Sequence, residues 1–192
     1  MNSSIKDVLK TLYIDDITDT KSNVSSQSTR ELVQSGLLSD GGTITESGRK
    51  QFDVVLAGGV FDIIHPGHIL TLNTAKTYGD LLIVVVATDK IAEKMKKKSP
   101  LHSQSQRQNL VNSLVMVDVC LAGNESDIFK TVDLVSPQTI VLGYDQLHQE
   151  QFIIDGCKNI NLDCKVVRLE SSLPNLSSSD IRETYGTSIH GI

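Results

Sequence analysis

Residues 54–80 leave the chain few ways to fold. Val54-Val55-Leu56-Ala57 is an apolar run of strand length, and it delivers Gly58-Gly59-Val60-Phe61-Asp62-Ile63-Ile64-His65-Pro66-Gly67-His68. Beyond His68, the residues Ile69, Leu72, Ala75 and Lys76 continue at roughly helical spacing, and Gly79 closes the helix. A strand that passes through a glycine turn to a helix start is a ready site for phosphate. Backbone N–H groups point outward there, and the helix dipole favours negative charge. Pro66 at the helix start gives up an N–H that is unpaired anyway, and Gly67 lets a nucleotide pack closely against the backbone. His65 and His68 add two donors for a phosphoryl group. The same two imidazoles can also serve as metal ligands or stand as plain surface residues. No third His, Cys or carboxylate lies in a recognisable relation to them, so phosphate is preferred and no protein metal set is assigned.

From residue 53 onward strands and helices alternate. Strands are expected at 53–57, 81–87, 117–121, 139–142 and 165–169. Helices are expected at 68–78, 89–97, 105–114, 127–134, 149–160 and 179–185. Leu81-Leu82-Ile83-Val84-Val85-Val86-Ala87 is a continuous apolar run, as in a strand covered on both faces. The expected fold is α/β: a Rossmann-like parallel sheet of about five strands, helices on both faces and right-handed crossovers. Ligands bind such sheets at the carboxyl ends of the strands, where the winding changes direction.

Residues 1–50 have a different texture and are expected to form a small, mainly helical appendage to a domain over 51–192. Ile5, Val8, Leu9 and Leu12 outline one short helix. Ser28 or Thr29 would cap a second through Leu32, Val33 and Leu37, and Thr43–Lys50 suggests a short strand and turn. The pattern resembles the end of a winged helix. Acidic side chains here match the basic ones, which argues for packing or dimer formation over DNA binding. The net charge of -5 across the 192 residues gives no general attraction to nucleic acid or membrane, so a nucleotide site must gather its own positive charge. No apolar run is long enough to span a bilayer and no signal peptide is seen, so a cytoplasmic protein is expected. Three cysteines, Cys120, Cys157 and Cys164, form no Cys-x-x-Cys pair and read as packing thiols.

Three further constellations fall on the expected site edge. Lys94, Lys96, Lys97 and Lys98 precede Pro100, and Arg107 follows; without that placement they would read as a solvated basic loop. Gly143-Tyr144-Asp145-Gln146 follows the fourth strand and by itself is a turn. Ser177-Ser178-Ser179-Asp180-Ile181-Arg182 is a serine-capped helix start, which can hold an anion through hydroxyls, amides and a guanidinium. Asp62 either ends the strand through hydrogen bonds or helps arrange the site. His102 and His148 read as incidental, and His190 lies in the tail.

The stretch Gly-Gly-Val-Phe-Asp-Ile-Ile-His-Pro-Gly-His resembles the signature of the His-x-Gly-His nucleotidylyltransferases over residues 53–186. That resemblance implies an enzyme that transfers a nucleoside monophosphate from a nucleoside triphosphate to a phosphorylated acceptor, with Mg²⁺ and release of pyrophosphate. It implies that His65, His68, Lys98 and Arg182 are catalytic, with Lys97 and Lys94 as alternatives to Lys98. It places Gly58, Gly59, Val60, Phe61, Gly67, Arg107, Gly143, Asp145, Gln146, Ser177, Ser178 and Ser179 around the nucleotide. The Gly-x-Asp-Gln form resembles archaeal FAD synthases, so the expected reaction is FMN with ATP, preferred over CTP. A cytidylyltransferase acting on glycerol 3-phosphate or a similar phospho-alcohol is the alternative, and a phosphopantetheine adenylyltransferase is another. A nucleotide-sensing regulator is the non-enzyme alternative. The resemblance also implies a homodimer, with no membrane or nucleic-acid partner.

Overall fold

A computed structural model describes residues 4–144, 146, 149–170 and 181. The chain forms two units, Met1–Asp53 and Val54–Ile192.

The first unit holds helices α1 (Ile5–Thr18), α2 (Ser26–Gln34) and α3 (Glu46–Arg49). Ser4 caps α1 and Ser25 caps α2 through their side chains, so α2 starts earlier than a Ser28 cap would allow. Helix α1 runs through Thr18 because Val8, Leu9, Tyr13 and Ile17 all fall on its buried face. The expected strand within 43–50 is only a bridge, Leu38 to Ile44, before α3. Arg49 stacks on Tyr13 and Phe52 at 5.1 and 4.9 Å and donates to the Phe52 carbonyl at 3.0 Å. Burial lowers the pKa of that guanidinium and raises that of the Tyr13 phenol.

The second unit is one parallel sheet: β1 (Val54–Gly59), β2 (Leu81–Val86), β3 (Val119–Ala122), β4 (Thr139–Leu142) and β5 (Lys165–Arg168), in the order β3-β2-β1-β4-β5. The connecting helices are α4 (Pro66–Lys76), α5 (Asp89–Lys96), α6 (Gln104–Asn112), α7 (Ile128–Val135) and α8 (Glu150–Asn159). Strand residues alternate between two covered faces. Val55, Ala57, Leu82, Val84, Val86, Cys120 and Val141 share a core with Leu72 and Ala75 of α4 and Val111 of α6. The intervening residues Val54, Leu56, Leu81, Ile83 and Ile140 are buried too, on the face that α7 and α8 cover. Gly156 of α8 sits where any Cβ would lie 1.7 Å from the Phe129 ring, so these two helices pack through a missing side chain.

The sheet's order places the site. The chain winds outward through β1, β2 and β3, then returns across β1 to β4 and β5. The direction of winding therefore reverses between β1 and β4, and a crevice opens beyond their carboxyl ends. Gln138 anchors the opposite edge, accepting from the Val54 amide at 2.8 Å through its side chain. The two glycines belong to β1 itself, where Gly58 pairs with Val85 and Gly59 with Val86. The expected glycine turn is made instead by the residues after them. The closing helix expected at 179–185 lies, apart from Ile181, outside the described residues.

Candidate active site

Helix α4 begins two residues earlier than helical spacing alone suggests, because its N-cap is a histidine. His65 is extended, and its Nδ1 accepts from the Gly67 amide at 3.2 Å, with Pro66 in the first turn. An accepting Nδ1 puts the proton of the neutral ring on Nε2. His65 is buried, and its ring centroid lies 3.9 Å from that of His68. The two imidazoles thus lie against each other, their planes tilted by 31°, at the positive end of a helix.

The turn between β1 and α4 is shaped by Phe61, whose φ of 53° is left-handed. Its ring lies against Gly59, where a Cβ would approach it to 2.9 Å. The ring also meets His68, at 5.0 Å between centroids. Gly59 is therefore needed for a close approach, and the unusual backbone conformation falls on a phenylalanine. Phe61 is 5% exposed, so it supports His68 from beneath and offers little side-chain surface to a nucleotide.

His68 titrates far below an ordinary histidine. Desolvation, the neighbouring His65 and the Lys96 charge together lower its pKa to about 4, against the smaller opposing pull of the Ile63 carbonyl. Its Nδ1 is buried and has no hydrogen-bond partner among the described residues. The site thus presents a neutral, poorly solvated imidazole that an arriving anion would make more basic.

The basic segment divides unevenly. Lys94, Lys96, Lys97 and Lys98 are all exposed at the end of α5 and just beyond it. Lys96, which was not among the expected choices, is the lysine whose charge is felt at His68. Its helical position in the last turn of α5 could not be ranked above its neighbours from a run of four lysines. Arg107 sits differently from its expected place on a phosphate. Its side chain is 0% exposed, and it donates to the carbonyls of His102 at 3.0 Å and Val60 at 2.6 Å, and to Asp89 at 2.7 Å. A guanidinium with no exposed surface has no face to offer a phosphate in this conformation. The Arg107 bond is the largest cause holding the Asp89 carboxyl below the usual range.

Across the crevice, Gln146 closes the turn after β4. Its Oε1 accepts from the Gly143 amide at 2.7 Å, and its Nε2 reaches the Gly58 carbonyl at 3.5 Å. Gln146 thus ties the turn after β4 to the carboxyl end of β1. Asp145, Ser177, Ser178, Ser179 and Arg182 lie outside the described residues. An apolar hollow of about 500 Å³ adjoins His65, lined by Ile64, Pro66, Ile69, Leu70 and Asn73. Among the described residues no group of three His, Cys, Asp or Glu side chains can hold a metal ion.

The cytidylyltransferase-like family model matches residues 56–184, which contain all five strands except the first two residues of β1. An FAD synthase of Picrophilus torridus is 46% identical over 129 residues, covering 67% of this chain and 92% of that protein. An FAD synthase of Aciduliprofundum boonei is 47% identical over 116 residues, covering 60% of this chain and 77% of that protein. Among solved structures, the lipopolysaccharide core biosynthesis protein from Thermoplasma volcanium is similar with a TM-score of 0.60 and 39% identity. The match covers 62% of this chain and 98% of that one.

Proposed function

The chain belongs to the cytidylyltransferase-like family and is a nucleotidylyltransferase, and from that premise we propose that it moves AMP from ATP onto the phosphate of FMN. An FMN phosphate oxygen attacks the α-phosphorus of ATP. The bond from that phosphorus to the bridging oxygen breaks, and pyrophosphate leaves with FAD as the product. The observation that carries this reading is the stacked imidazole pair at the start of α4, beside the crevice between β1 and β4.

Both reactants are anionic, so the protein's task is to position them and to absorb charge. In the proposal the Nε2–H of His65 donates to the triphosphate. His68 is neutral before binding. The triphosphate's charge raises its basicity, so it hydrogen-bonds or protonates as charge grows on the phosphoryl oxygens. Lys96 and its neighbours supply positive charge in a molecule that is acidic as a whole, with Lys98 retained as a candidate. Gly58 and Gly143–Gln146 border the nucleotide. The hollow beside His65 offers the apolar surface that a flavin ring requires, close to where the acceptor phosphate must sit. Magnesium would arrive with ATP and offset the charge of its phosphates, and the described side chains form no cage of their own for it.

Pyrophosphate release tests the reading, with ATP or CTP supplied against FMN, glycerol 3-phosphate and phosphopantetheine. Turnover with ATP and FMN alone is expected. Turnover restricted to CTP, or to another acceptor, would overturn the assignment. A homodimer is part of the proposal: Leu110 and the fully exposed Val115 stand near the edge strand β3. A solution mass matching a single 21.0 kDa chain would exclude it.

A further inference from the structure

Asp62 takes no direct part in the chemistry outlined above, yet its carboxylate is bonded at both oxygens. Its carboxylate is 12% exposed. Oδ2 accepts from the Leu101 amide and Oδ1 from the His102 amide, each at 3.0 Å. The Asp62 carbonyl lies 2.8 Å from His102 Nδ1. A carbonyl can only accept, so that nitrogen carries the proton. One residue of the β1–α4 turn therefore makes three hydrogen bonds to two consecutive residues about forty positions away.

Leu101 and His102 end the segment that joins α5 to α6, and that segment carries Lys97 and Lys98 directly after Lys96. Arg107 holds the same junction from behind, bonding Val60 of the turn, Asp89 at the start of α5 and His102. Ser99 closes the near side through a 2.7 Å bond to Glu93. The lysines themselves are exposed and long, so their average position depends on what holds the backbone beneath them.

We propose that Asp62 is a positioning residue for nucleotidyl transfer: its carboxylate latches the lysine-bearing segment 96–102 to the turn that carries the histidine pair, and so holds that positive charge at the triphosphate. The latch explains why an acidic residue stands three positions before His65 in a site built for anions. Its charge is engaged by two backbone amides. The Lys96 charge felt at His68 is the expected signature of a segment held in place.

The full chain carries the test. His68 titration is followed by NMR in wild type, Asp62→Asn, Lys96→Ala and the double variant. Asparagine keeps the size of Asp62 but cannot accept from both amides. Burial sets the His68 midpoint first, followed by His65, Lys96 and the Ile63 carbonyl. Loss of the Asp62 negative charge alone would lower the midpoint. Release of Lys96 would raise it. We expect a rise in Asp62→Asn, a similar rise in Lys96→Ala, and no further rise in the double variant. In turnover, Asp62→Asn should increase KM for ATP about fivefold or more with a smaller change in kcat. In the Lys96→Ala background it should change KM less than about twofold. A lowered His68 midpoint, or equal KM effects in both backgrounds, would overturn the latch. If Asp62→Asn does not fold, amide exchange in the wild type decides. Slow exchange at Leu101 and His102, slower still with ATP, supports the latch, and exchange at free-loop rates refutes it. The KM arm rests on the nucleotidyl-transfer reading. The titration needs no substrate, so failure with FMN and failure of the latch remain separate results.

Discussion

At the scale of single residues, His68 couples the chemistry of the site to the stability of the fold. Its folded pKa of about 4 lies below the ordinary value of 6.5. Folding therefore disfavours its proton. The neutral ring's contribution is fully present above pH 6.5 and is lost as pH falls from there through about 4. The shift corresponds to a contribution of roughly 3 kcal/mol at full burial. Denaturant melts of wild type and His68→Asn, taken across pH 4–7, should diverge in slope, with the wild type losing more stability on acidification. Parallel curves would mean that His68 is well solvated. The titration of carboxylates is common to both proteins and cancels in the comparison. Replacing either histidine by alanine should lower kcat by about a hundredfold, the usual cost of one transition-state donor, while the fold survives. Wild-type rates would refute a catalytic role.

At the scale of elements, the turn from β1 into α4 works through shape as much as through donors. Gly59→Ala puts a methyl group 2.9 Å from the Phe61 ring, and that ring is also in contact with His68. The expected result is a cost of about 1–3 kcal/mol from overpacking, with a tenfold or larger loss of kcat as the imidazole is pushed. A variant that loses stability but keeps kcat would show that Phe61 yields away from His68. This arrangement also marks the limit of reading the sequence alone. The succession of strands and helices is legible because parallel strands buried on both faces must be apolar along their whole length. The helix start and the histidine pair are legible because Pro, Gly and His each have a local reason to be there. The role of Phe61 is hidden, since nothing local reveals a left-handed phenylalanine. Arg107 misleads for a similar reason: an arginine near a basic run suggests phosphate, and only the fold brings Val60 and Asp89 around it. Lys96 and Asp62 were equally undecidable, because their partners lie across long stretches of chain.

At the scale of the whole molecule, the complete sheet and the histidine pair lie within Val54–Ile192. The Picrophilus torridus relative is covered to 92% by a 129-residue match and has little chain left for a counterpart of residues 1–53. The first unit also has its own small core, from Leu9 and Tyr13 to Leu32 and Phe52. We therefore expect residues 54–192 to fold alone and to retain nucleotidyl transfer within about threefold, since units with separate cores fold separately. Aggregation or loss of turnover on deleting residues 1–53 would show that the first unit completes the second.

The order of the strands also governs how the chain is made. Strand β1 is central, but one of its two neighbours, β4, is among the last elements translated; 84 residues separate Val54 from Gln138, the pair that ties their edges. At about 5–20 residues per second, the ribosome takes roughly 4–17 s to supply them. During that interval one edge of the central strand waits without its partner, and the crevice has one wall. Catalytic competence and protection from aggregation therefore arrive together, late in synthesis.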